Sequence, residues 1–122
     1  MQRHTVAVTS DASGDATDYT SEPVNGVVHA IRYVRTDLAT GVDFVITGAV
    51  SGIAILSVSN VATSTTWYPR AATCDVTGVA SLYAAAGEPV ETGVPVCDEP
   101  IKIVTDEGGA TLSGTFYIYV GT

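Results

Sequence analysis

The chain has 122 residues, 46% of them hydrophobic and 15% charged, with five Lys and Arg against thirteen Asp and Glu and a net charge of −8. That length suits one domain, here taken as residues 1–122, and the apolar content excludes a disordered chain. The acidic balance excludes nucleic acid as a partner, because phosphates must be neutralised by Lys and Arg, and it disfavours anionic membrane surfaces.

From the N-terminus, Arg3 is followed by no apolar run of signal-peptide length, so folding in a cytoplasm is expected. The most apolar stretch, Gly48 to Val58, is far shorter than the roughly 20 residues of a membrane helix, so no membrane association is expected. His4 to Thr9 alternates polar and apolar residues as a half-buried strand does. Next comes Asp11-Ala12-Ser13-Gly14-Asp15-Ala16-Thr17, whose alternating oxygens, with Glu22 at the twelfth place, mimic a calcium loop. An EF-hand loop needs glycine at its sixth position, where this chain has Ala16. The stretch therefore reads as a polar hairpin loop, and no metal or cofactor is expected.

Thr17 to Glu22 reads as a polar edge strand stopped by Pro23, and Asn25-Gly26 as the turn of a tight hairpin. Val27 to Arg35 is the clearest β run, with Val28, Ala30, Arg32 and Val34 predicted on one face and His29, Ile31, Tyr33 and Arg35 on the other. Asp43 to Thr47 and Ile53 to Val58 are apolar on both faces and suggest central strands, with a turn or bulge marked by Gly48 and Gly52. Thr63 to Arg70 breaks the pattern at Pro69. Val79 to Gly87 suits one or two helical turns, and Glu88 to Pro100, with three prolines and four acids, an ordered surface loop. Ile101 to Thr105 and Thr111 to Val120 complete the chain as a final hairpin. Short strands separated by Gly, Pro and Asp turns predict an all-β, single-domain β-sandwich, with a jelly roll as the expected variant.

Signatures of catalysis are missing from this sequence: it has no nucleophile elbow, phosphate-binding loop or zinc-protease motif. His29 sits mid-strand, and Asp98-Glu99 and Asp106-Glu107 are sequence neighbours that would point to opposite faces within strands. A non-enzymatic role is the expectation. Cys74 and Cys97 lack metal or redox spacing and are expected as free thiols, although a bridge stays open. Trp67, Tyr68 and Arg70 are residue types that dominate binding hot spots. In the last strand Tyr117 and Tyr119 share the face opposite Phe116, Ile118 and Val120. These five residues, Trp67, Tyr68, Arg70, Tyr117 and Tyr119, are the predicted partner-binding set, with core packing as the competing role.

The segments "VTSDASGDATDYT", "GVVHAIRYV", "GVDFVITG", "GIAILSVSNV", "TWYPRAAT" and "IKIVTDEGGATLSGTFYIYVG" together resemble small structural proteins of tailed bacteriophages, taken as head decoration or cement proteins. The resemblance spans nearly the whole chain and leaves out Cys74 and Cys97. It implies a jelly-roll or sandwich domain on the outer surface of a virion. Such a domain binds the major capsid protein and, by closed symmetry, a second copy of itself, with a homodimer favoured and a trimer as the other option. A carbohydrate-binding or adhesin-like module of a virion is the alternative, which Trp67 and Tyr68 would equally serve.

Overall fold

A computed structural model describes residues 1–121. It has ten strands: β1 (Gln2–Thr9), β2 (Ala16–Tyr19), β3 (Val24–Arg35), β4 (Asp43–Gly48), β5 (Ala54–Val58), β6 (Thr65–Trp67), β7 (Arg70–Ala72), β8 (Glu91–Glu99), β9 (Ile101–Asp106) and β10 (Ser113–Gly121). They form two antiparallel sheets packed as a β-sandwich. Sheet A runs β1-β10-β3-β8-β7, with β6 paired to the far end of β3, and sheet B runs β2-β9-β4-β5. The main pairings are nested: β4 with β5, β3 with β8, β2 with β9 and β1 with β10. Most of the chain is thus one long antiparallel ribbon folded over on itself.

Alternation along each strand builds the core. Val6 and Val8 of β1, Ile31 and Tyr33 of β3, Phe44 and Ile46 of β4, Ile101 and Ile103 of β9, and Phe116, Ile118 and Val120 of β10 all point between the sheets. Tyr33, Phe44 and Phe116 meet at its centre with ring centroids 4.7–5.2 Å apart in tilted and edge-on arrangements, the geometry that ring quadrupoles favour. Strands β4 and β9 show sheet B's other side: Val45 is exposed while its neighbours Phe44 and Ile46 are fully buried.

Several expectations from sequence are corrected. Asn25-Gly26 is no turn, because β3 runs straight through it. Gly26 instead takes φ +131° at a register shift between β3 and β8, where a β-carbon would collide with the Gly121 carbonyl. Asn25 uses its side-chain oxygen to accept from the Asp98 amide at 2.7 Å. The glycine thus permits a close crossing of backbones rather than a hairpin.

Val28 is buried on the same side as Ile31 and Tyr33, although simple alternation opposes them. A bulge explains it: Tyr119 pairs Ala30 while Val120 pairs Val28, so His29 is an extra residue in β3 and the faces switch there. Strand β5 lies at an edge of sheet B rather than its centre.

Residues 79–87 form no helix. They belong to an arm, residues 73–90, held by turns and by isolated bridges at Cys74–Ala80 and Leu82–Pro89. The segment read as a loop contains β8, nine residues long, which tolerates Pro95 because β7 pairs it only as far as Gly93 and leaves an open edge beyond. The last two strands are no hairpin, since β9 lies in sheet B and β10 in sheet A. The Ser10–Asp15 loop likewise arches between sheets.

Glu99 shows how the sequence closes one end. Its carboxylate is almost fully buried and accepts from the amides of Val50 at 2.8 Å and Ser51 at 2.9 Å, which holds the Gly48–Ile53 turn. Those bonds keep its acidity on the strong side of the ordinary carboxylate range.

A candidate contact face on sheet A

The outer face of sheet A follows from register. Tyr117 of β10 lies between Thr5 of β1 and Arg32 of β3, and Arg32 in turn lies beside Thr66 of β6. One step along, Tyr119 lies between Arg3 and Ala30. Side chains directly opposite in such pairs stand on the same face, so these residues form a continuous patch. The Arg3 guanidinium sits 5.4 Å from the centroid of the Tyr117 ring, a cation–π distance that orders it over the sheet.

Two adjoining depressions mark the patch. One, of about 500 Å³, is lined by residues that include His29, Arg32, Tyr68, Arg70 and Tyr119. The other, of about 370 Å³, is lined by Arg3, Arg32, Val34, Tyr117 and Tyr119. Among the described residues no carboxylate lines either one. Three of the five basic residues of a strongly acidic chain therefore converge here. The fourth arginine is engaged elsewhere: Arg35 donates from Nε to the Leu38 carbonyl at 2.7 Å. With His29 beside them in the first depression, the groups offered are guanidinium, phenol, imidazole and ring face.

Four of the five predicted residues come together here: Tyr68 (69% exposed), Arg70, Tyr117 and Tyr119. Trp67 does not join them. It pairs with the buried Ile31 and packs half-buried against the core, on the opposite side of β6 from Tyr68. Sequence reasoning overlooked Arg3 and Arg32. Their signal was parity: Arg32 alternates with Ile31 and Tyr33, and Arg3 with His4 and Val6, so both had to face outward.

No family model and no curated protein matches the chain.

Next to Arg70 the arm begins. None of residues 74–89 is buried, and Val76, Val79, Leu82 and Tyr83 are all exposed, Tyr83 at 77%. Its order comes from polar bonds: Asp75 Oδ1 accepts from the Thr77 amide at 2.8 Å, the Thr77 hydroxyl at 2.7 Å and the Val79 amide at 3.1 Å. These bonds depress the Asp75 pKa below its ordinary value.

Elsewhere the candidate groups serve structure. Asp11 Oδ1 accepts from the amides of Ser13 and Asp15 at 2.8 and 3.0 Å, so its carboxylate organises the turn that resembled a calcium loop. Cys74 and Cys97 are free and exposed. Ala72 lies opposite Glu91, and Cys97 is six residues further along β8, roughly 20 Å away. Cys74 leaves in the other direction, so the two cannot meet within the roughly 7 Å between α-carbons that a disulfide allows.

Proposed function

We propose that this protein is a capsid decoration protein of a tailed bacteriophage, a non-enzymatic domain that binds the outer surface of the major capsid protein shell. The observation that carries the reading is the tyrosine–arginine face: aromatic rings and guanidinium groups gathered on one sheet of an acidic molecule. Tyr and Arg dominate protein hot spots, because each combines a large contact area with directed hydrogen bonding. A capsid surface that offers carboxylates and backbone carbonyls complements such a face. The rest of the acidic surface repels and orients the approach.

The fold fits this reading. With β6 and β7 set aside, eight strands divide four and four between nested pairings, and we read that wiring as a jelly roll, an architecture used by viral and lectin domains. Fold alone does not specify function. The resemblance of the strand segments to phage head proteins points in the same direction. The arm beside Arg70 adds an apolar contact next to a polar one, and many such modest contacts on a symmetric shell sum through avidity.

The test is co-sedimentation of the purified protein with capsids assembled from the major capsid protein encoded near it. Native protein should pellet with capsids, and the double variant Arg32→Glu, Arg70→Glu should remain folded but stay in the supernatant. Equal pelleting of both would remove the face from the contact. Failure of the native protein to bind, together with selective binding on a glycan array, would favour the carbohydrate-binding alternative.

A further inference from the structure

Sheet edges expose unpaired backbone donors and acceptors, and folded proteins guard them with short strands, proline, bulges or inward charges. Nearly every edge here carries such a device. Strand β2 has four residues and turns Asp18 inward, where burial raises its pKa. Strand β5 has five residues and a register shift against β4. Strands β6 and β7 have three each. The open stretch of β8 contains Pro95 and, near its end, Asp98 with a left-handed φ of 50°.

Strand β1 is different. It has eight residues, with no proline and no lysine, and keeps an unbroken register against β10 from Gln2–Val120 to Thr9–Ser113. Its one outward charge, Arg3, leans back over Tyr117 rather than standing guard at the edge. Inward it carries Val6 and Val8, both buried, and His4, whose buried Nε2 has no hydrogen-bond partner among the described residues.

We propose that β1 pairs antiparallel with β1 of a second copy across a two-fold axis at Val6. That register sets Thr5 against the partner's Ala7 and Arg3 against the partner's Thr9, so no like charges are opposed. A shift of one residue would set core-facing residues against outward-facing ones, so only registers of this parity keep the two sheet faces continuous. The same axis makes the interface isologous and closed, giving a dimer rather than a fibre. Sheet A becomes continuous across the pair, and two tyrosine–arginine faces lie side by side on one surface. This inference stands on the edge alone and does not depend on a capsid as partner.

Sedimentation velocity of the full chain from low to high micromolar concentration tests it. The native protein should sediment at twice the monomer mass. Thr5→Lys with Ala7→Lys, and Thr5→Glu with Ala7→Glu, alter only exposed positions, so each double variant should melt like the native chain but sediment as monomer. Mixed in equal amounts at low salt, the two should recover dimers. Amide exchange gives a second reading that needs no variant: β1 amides should slow as the native chain is concentrated. A native chain that stays monomeric, double variants that stay dimeric, or β1 amides indifferent to concentration would each overturn the proposal.

Discussion

The sandwich and its arm are ordered by different physics. In the sandwich, nineteen buried hydrophobic side chains fill the space between two sheets. In the arm, residues 74–89 bury nothing, and shape comes from Asp75 together with backbone bonds such as Ser81 to Thr73 at 3.0 Å and Tyr83 to Glu88 at 3.0 Å. Cooperative burial makes the first a single unit, whereas local polar bonds let the second open without the rest. An element that presents Val76, Leu82 and Tyr83 to solvent contributes little to folding and leaves those side chains free for a partner.

Core truncation should expose the contrast most strongly. Phe44→Ala or Phe116→Ala should lower stability by about 3–5 kcal/mol in denaturant melts, since each ring is fully buried against two others. Val76→Ser or Tyr83→Ser should stay within about 0.5 kcal/mol of native. An arm substitution that costs as much as a core one would erase the distinction.

Gly26→Ala should come next, at about 1–3 kcal/mol, because the added β-carbon meets the Gly121 carbonyl and the backbone is left-handed in sense. A native-like melt would mean that the crossing of β3 and β10 is looser than described.

Within the arm, Asp75→Ala should speed amide exchange at Thr77 and Val79 without moving the global melt. Acid should act in the same way. The Asp75 pKa is depressed, so its contribution is complete above the ordinary carboxylate pKa and fades as pH falls through the lower folded value. Arm amides unaffected by both changes would contradict the polar account of its order.

The smallest effect is expected at Asp15. A hydrogen bond to the Asp106 carboxyl raises its pKa, so that contribution is present at low pH and lost as pH rises through the raised value. Asp15→Asn should therefore raise the melting temperature slightly at neutral pH and leave it unchanged near pH 3. A gain at acid pH alone would reverse that sign.

The strands were legible wherever alternation had one buried face, as in β1, β3 beyond Ile31 and β10, whereas β4 looked apolar on both faces and buries only one. The shared face of Tyr117 and Tyr119, opposite Phe116 and Ile118, was visible for that reason. Legibility failed where a long-range crossing set the local structure. Asn25-Gly26 has turn chemistry, yet the approach of Gly121 decides its role. Residues 91–99 look like a loop because Pro95 and acids interrupt them, yet β3 supplies the pairing that makes them a strand. The helical turns expected at 79–87 rested on Ala-rich propensity, which is weak against the bridges to Cys74 and Pro89. Trp67 was grouped with the contact residues by type, with core packing as the rival role, and its pairing with Ile31 turns it toward the core. A face assembled from five strands is visible only once their register is known.

Cryo-electron microscopy of the decorated particle tests the central claim most directly. Sheet A should be turned toward the shell, with Arg32, Arg70, Tyr68 and Tyr119 against capsid carboxylates or carbonyls. Sheet B lying against the shell, with the tyrosine–arginine face open to solvent, would contradict it.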